Sequence, residues 1–131
     1  MMLLSPKSRL FWLYWFPVIV YCAAIFIQSA YPSPEGLSVF QFSDKILHFL
    51  GYALLGGLFF RALLKVSPRR GVLRVIVFSV AATTLYGVSD EIHQAFVADR
   101  MADGMDVVAD FAGGIFGTLG LHTTRLFYGR Q

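Results

Sequence analysis

Four apolar runs, each close to the length that crosses a bilayer, constrain this chain more than any single residue does. They cover 10–28, 46–64, 72–90 and 107–128, and about 20 apolar residues in a helix span a hydrocarbon core of roughly 30 Å. The third run is the shortest in apolar terms, since it turns polar after Val88 and contains Thr83, Thr84 and Tyr86. Hydroxyls are tolerated inside a bundle, where they find partners on neighbouring helices. With 56% hydrophobic and 15% charged residues in a chain of 131, a soluble domain would bury too little surface to hide its apolar side chains. The pattern predicts an all-α, polytopic membrane four-helix bundle, a single domain over 1–131.

The first run is not read as a cleaved secretory signal. Lys7 and Arg9 precede it and Ser29 and Ala30 follow it, but it opens with Phe11, Trp12, Tyr14, Trp15 and Phe16 and lacks an Ala-x-Ala site. A long, aromatic-rich start suits a retained anchor whose Trp and Tyr rings sit at headgroup level. Pro17 is expected to kink this span, because proline lacks the N–H that the helical ladder needs.

Charge distribution predicts the orientation. Nine of the eleven Lys and Arg residues lie at one end: Lys7, Arg9, Arg61, Lys65, Arg69, Arg70, Arg74, Arg125 and Arg130. The positive-inside rule makes that end cytoplasmic, with both termini inside and the 30–43 and 89–102 segments outside. Arg61 is expected to snorkel toward the inner headgroups. The net charge of +3 then reflects topology, and no nucleic-acid partner is implied. The single Cys22 cannot form an internal disulfide and reads as a small packing residue. No glycine-rich phosphate loop, Cys-x-x-Cys, His-Glu-x-x-His or Gly-x-Ser-x-Gly is present.

All eight acidic residues, Glu35, Asp44, Asp90, Glu91, Asp99, Asp103, Asp106 and Asp110, fall in or beside the two outer segments. At the start of the second span Asp44, His48 and Tyr52 recur at steps of four, so they share one helical face. Ser43 or Asp44 can cap that helix. His48 lies about 6 Å deeper at 1.5 Å per residue, which a cap does not explain. Thr83, Gly87, Glu91 and Gln94 share a face of the third span, which turns from small to acidic as it nears the outer surface. Asp90 and Glu91 stand at a helix C-terminus, where the macrodipole disfavours anions. Arg100, Lys45, a protonated His48 or a bound cation could compensate them. His93 points away from Glu91 and reads as interfacial.

Asp103 and Asp106 resemble an N-terminal cap with an acid in the first turn. Asp110 lies about 10 Å beyond Asp103 along the helix. An acid at that depth must be paired, protonated or facing a wet cavity. Gly113 and Gly117 continue its face as a Gly-x-x-x-Gly surface suited to close helix contact, so Asp110 is expected to point into the bundle.

Three ordered motifs, Asp44-Lys45-x-x-His48-Phe49-x-x-Tyr52, Asp90-Glu91-x-x-Gln94-x-Phe96-x-x-x-Arg100 and Asp103-x-x-Asp106-x-x-x-Asp110-x-x-Gly113-x-x-x-Gly117, give the chain its family likeness. With Ser29 before Pro32, it resembles the VanZ-like family from about Pro17 to Gly120. The resemblance implies a small four-helix integral membrane protein of the cell envelope, and its founding member is associated with low-level teicoplanin resistance. That family often has Asn where this chain has Asp110.

Three functional readings follow from these residues. In the first, an outward cleft recognises a lipid headgroup or lipid-linked envelope precursor. Arg100 and Lys45 would hold an anionic group, while Asp44, His48, Tyr52, Glu91, Gln94, Asp106 and Asp110 set the hydrogen-bond pattern. In the second, the protein is a hydrolase or transferase on a lipid-linked substrate, with His48 or Glu91 as general base. The acids would then hold a divalent cation, with magnesium, calcium and zinc all open. In the third, the polar cluster only fixes helix packing. The residues name no cofactor.

Overall fold

In the computed structural model, residues 5–31, 43–67, 69–98 and 100–128 are described. Pro32, Glu35, Asp99, Arg130 and the side chain of Ser43 lie outside them. The described chain is helical, with no strand. α1 (Pro6–Leu10), a π-helical turn (Phe11–Trp15) and α2 (Phe16–Ser29) run together as the first long helix, followed by α3 (Ser43–Val66), α4 (Val72–Gln94) and α5 (Gly104–Tyr128). Four helices, Pro6–Ser29, Asp44–Val66, Val72–Gln94 and Gly104–Tyr128, are long and apolar enough to cross a membrane. They extend past the apolar runs at several ends because a hydrogen-bonded ladder does not stop at polar side chains. Asp44 and Lys45 are helical, and so is the polar stretch from Ser89 to Gln94.

α3, α4 and α5 pack mutually, α3 against α5 most extensively, while α2 leans more lightly on α3 and α4. The outward faces remain apolar: Leu47, Leu50, Leu54, Val77, Leu85 and Phe116 are each more than half exposed. Such surfaces suit lipid, while the interior holds Phe60 and Leu55 together with small and hydroxylated residues. Ser79, Thr83 and Thr118 are fully buried. Ser79 and Thr83 donate to carbonyls one turn back, and the Thr118 hydroxyl crosses to the Gly56 carbonyl at 3.2 Å. In lipid there is little hydrophobic drive between helices, so contacts of this kind and close packing of small residues carry association.

The strain of Pro17 is absorbed locally. Phe16 N–H bonds to the Phe11 carbonyl five residues back, and Pro17 cannot donate to Leu13, four residues back. The Arg61 guanidinium reaches across from α3 and donates to that Leu13 carbonyl at 2.9 Å. It also lies over the Tyr14 ring, 4.8 Å from its centroid. The arginine expected at the headgroups therefore has a protein partner on the first helix.

α3 and α5 approach backbone to backbone. A Cβ on Gly113 would collide with the Phe49 carbonyl, and one on Gly117 with the Ala53 carbonyl. On the other helix, a Cβ on Gly56 would stand 2.6 Å from the Gly114 carbonyl oxygen. The Gly-x-x-x-Gly surface read in the sequence is thus the α3 interface. Gly117→Val is expected to lower the melting temperature in detergent, with overpacking costing about 1–3 kcal/mol or more. Gly120→Ala, where an added Cβ meets nothing within 4 Å, should leave it unchanged or raise it. Equal melting temperatures for the two variants would contradict this interface.

Candidate functional site

At their outer-segment ends α3, α4 and α5 bring together most of the polar residues singled out above. The four-residue step on α3 turns Asp44, His48 and Tyr52 toward the bundle. Tyr52 is buried, the His48 side chain is only 10% exposed, and Asp44 is half-buried at the rim. From α5, Asp106 and Asp110 face the same interior, with Asp110 fully buried. From α4, Asp90, Glu91 and Gln94 close the cluster, all buried.

Two parallel links join α3 to α5. Lys45 Nζ lies 2.6 Å from Asp103 Oδ2 and 3.1 Å from Asp106 Oδ1. One turn deeper, His48 Nδ1 lies 2.9 Å from Asp110 Oδ1. Since the carboxylate accepts, Nδ1 carries the proton and Nε2 is turned toward Asp106 Oδ2, 4.0 Å away. Asp110 gets this close to α4 because residue 87 is glycine: a Cβ there would stand 2.5 Å from Asp110 Oδ2.

A third strand of the network runs to α4. The His48 and Tyr52 rings stack 6.1 Å apart. Tyr52 OH and Gln94 Nε2 both donate to Asp90 Oδ2, at 3.3 and 3.2 Å. Glu91 is compensated by a group the sequence did not suggest. Its Oε2 accepts the Asp103 backbone N–H at 2.9 Å, placing the carboxylate against the positive N-terminus of α5. Asp103 caps that helix as expected, with Oδ1 accepting Met105 N–H at 2.9 Å. The Lys45 ammonium, with that cap bond second, holds the Asp103 carboxyl below the ordinary carboxylate range.

Arg100 does not join the cluster. Its Nε donates to the Tyr31 carbonyl at 3.1 Å, and no ion pair links it to the acids among the described residues. His93, read as interfacial, instead packs between helices: it stacks on Phe26 at 4.1 Å and meets Ser29 Oγ at 3.3 Å, pinning α2 to α4.

Between α2, α3 and α4 lies a cavity of about 370 Å³. Asp44, His48, Tyr52, Asp90 and Gln94 form its polar wall, Leu47 and Leu50 its apolar flank, and Tyr21, Ile25 and Gln28 its α2 side. Three buried oxygens in the cluster have no hydrogen-bond partner among the described residues: Asp90 Oδ1, Glu91 Oε1 and Asp110 Oδ2. Sequence reasoning missed Tyr21 and Gln28, which sit on a helix without any acid. It named Asp90 but did not place it among the ligand-binding residues. The four-residue spacing of Tyr86, Asp90 and Gln94 is the signal that marks Asp90 as inward-facing. Asp44, His48 and Asp106 are grouped closely enough to share a cation.

A family model described as VanZ/LLP1 matches residues 7–125, most of the chain. No curated protein and no solved structure matches it.

Because Asp110 bonds to the protonated Nδ1 of His48, an amide oxygen can replace its carboxylate. Asp110→Asn should keep the fold with little change in melting temperature. Asp110→Ala removes the partner of a buried imidazole and should cost about 3 kcal/mol. Equilibrium unfolding in detergent, compared across the two variants and the matching His48→Ala double mutants, checks this coupling.

Proposed function

The chain belongs to the VanZ/LLP1 family, and from that premise we propose that it is a cell-membrane protein whose polar pocket recognises a headgroup at the outer leaflet, that of a lipid or a lipid-linked envelope precursor. The orientation rests on the basic residues at the opposite end of the bundle, eight of the nine being among the described residues. Were the ligand an envelope precursor, a link to glycopeptide resistance such as teicoplanin resistance would follow from competition for the same molecule.

The observation that carries this reading is Asp90. It is 4% exposed, lines the cavity and keeps one oxygen without a partner among the described residues. An unpaired buried acceptor is costly, and a ligand hydroxyl or amine would satisfy it. Leu47 and Leu50 on the lipid side of the cavity suit the start of an acyl or prenyl chain. The chemistry differs from the anion clamp that Lys45 and Arg100 suggested in the sequence, because Lys45 is bound to Asp103 and Asp106 and Arg100 to the Tyr31 carbonyl. The pocket wall offers acceptors, which favours a donor-rich headgroup.

One observation favours a second reading, a hydrolase or transferase acting on the same class of ligand. The Asp110–His48 pair is arranged as a carboxylate-oriented general base, with Nε2 free to take a proton. Glu91 is less suited, since Oε2 is held by the Asp103 N–H.

Native mass spectrometry of protein released gently from membranes should show a bound lipid-sized adduct. In Asp90→Asn the new amide can present a donor where Oδ1 accepted, and the adduct should fall by roughly tenfold, the size of about 1.4 kcal/mol. An adduct equally abundant in the variant would sink the headgroup reading. For orientation, a fluorescent protein fused after Gln131 should fluoresce and a cysteine placed at Ala102 should react with an impermeant maleimide from outside; the opposite labelling would invert the topology.

A further inference from the structure

We propose that Asp44, His48 and Asp106 form a binding site for a divalent transition-metal cation, of the zinc or manganese class, on the wall of the headgroup pocket. These residues offer one ligand atom each, all within 4.8 Å of one another. Around a zinc ion, tetrahedral ligands at about 2.0–2.2 Å stand roughly 3.3–3.6 Å apart, so closing on the ion draws the widest pair together by about 1 Å or more.

The surroundings of His48 fix its role. Asp110 Oδ1 takes the Nδ1 proton at 2.9 Å, which leaves the Nε2 lone pair directed away from Asp110. A carboxylate behind the imidazole is the usual partner that orients a metal-ligating histidine and raises its basicity. Nε2 stands 4.0 Å from Asp106 Oδ2, too far for a hydrogen bond and near the separation of two ligands on one metal. Asp106 is divided in the way this requires: Lys45 holds Oδ1, and Oδ2 remains available. Asp44 completes the set from the first turn of α3.

A second, independent observation concerns the residues of the same cavity. Asp90, 4% exposed, lines it together with Asp44 and His48, and its Oδ1 has no partner among the described residues. A water carried by the metal, or a donor on a ligand beside it, would satisfy that oxygen. The balance of charge runs the same way. Asp44, Asp90, Glu91, Asp103, Asp106 and Asp110 are gathered about one ammonium, Lys45, and one imidazole, in a protein whose surroundings penalise unpaired charge.

One nitrogen and two carboxylates suit zinc or manganese better than calcium or magnesium, which favour all-oxygen shells. Three protein ligands leave at least one position for water or a ligand atom. If the pocket takes a headgroup as proposed above, this cation would supply the positive charge that Lys45 and Arg100 do not, and would let the pocket hold a phosphate oxygen. The metal site itself does not depend on that reading.

Purified protein stripped with chelator should remove Mn²⁺ from the free-ion signal in an electron paramagnetic resonance titration, and Zn²⁺ should compete. Asp44→Asn and His48→Gln should each weaken Mn²⁺ binding at least tenfold, and Asp110→Asn by roughly tenfold through the lost orienting charge. Circular dichroism and melting temperature establish that each variant is folded. If His48→Gln does not fold, Asp44→Asn, at the half-exposed rim, decides. Wild-type protein that binds neither ion, or a folded Asp44→Asn that binds Mn²⁺ as tightly as wild type, overturns the proposal. Native mass spectra separate the two ideas. Lipid with no metal rejects this site alone, and metal with no lipid rejects the headgroup reading alone.

Discussion

Along the seam between α3 and α5, backbone meets backbone, and the positions of the polar side chains follow from that contact. Gly113 lies against Phe49 and Gly117 against Ala53, with Gly56 of α3 against Gly114. The two helices run parallel, so one register serves the entire seam. With Gly113 on Phe49, Asp110 arrives beside His48 and Asp106 beside Lys45. Neither pair could form if the helices stood a side chain's width further apart. In a bilayer, where lipid competes equally well for apolar side chains, this close approach is what makes association favourable.

The same geometry gathers several carboxylates at one end, which calls for compensation. Much of it comes from elements that fold for other reasons. The N-terminus of α5 faces Glu91, the cap residue Asp103 also holds Lys45, and Gln94 and Tyr52 share one oxygen of Asp90. Among the described residues compensation is incomplete, for three buried carboxylate oxygens have no partner there. A network built only to fix helix packing is most stable when every member is satisfied. Of the three residues, Asp90 lines the cavity.

The first helix is attached differently. Instead of a glycine seam it has a few polar pins: Tyr21 OH to the Gly51 carbonyl at 3.1 Å, Tyr86 OH to the Cys22 carbonyl, and Ser29 with His93. At the basic end Arg61 holds the carbonyl that Pro17 leaves free. Because α2 leans on the three-helix core without packing closely, space remains beneath it, and the cavity lies at this join. Arg61 therefore attaches the least tightly packed helix from the basic end of the bundle.

The sequence by itself determined the number and approximate ends of the helices, because apolar length is a one-dimensional property that the bilayer reads directly. It also determined that Asp110 and the glycines after it face inward and that Asp103 caps its helix, since helical periodicity and capping act within a few residues. Asp44, His48, Tyr52, Glu91, Gln94, Asp106 and Asp110 were legible as one polar group by the same periodicity. The pairings within that group were decided only by tertiary structure. Lys45 and Arg100 looked equivalent in the sequence, yet Lys45 lies on the α3–α5 seam between two acids and Arg100 is turned to the Tyr31 carbonyl. The partner of Glu91 is a backbone N–H from another helix, and Tyr21 and Gln28 reach the pocket from a helix with no acidic residue. Such contacts depend on the distance and register between helices, which close glycine packing sets and which no spacing along one helix encodes.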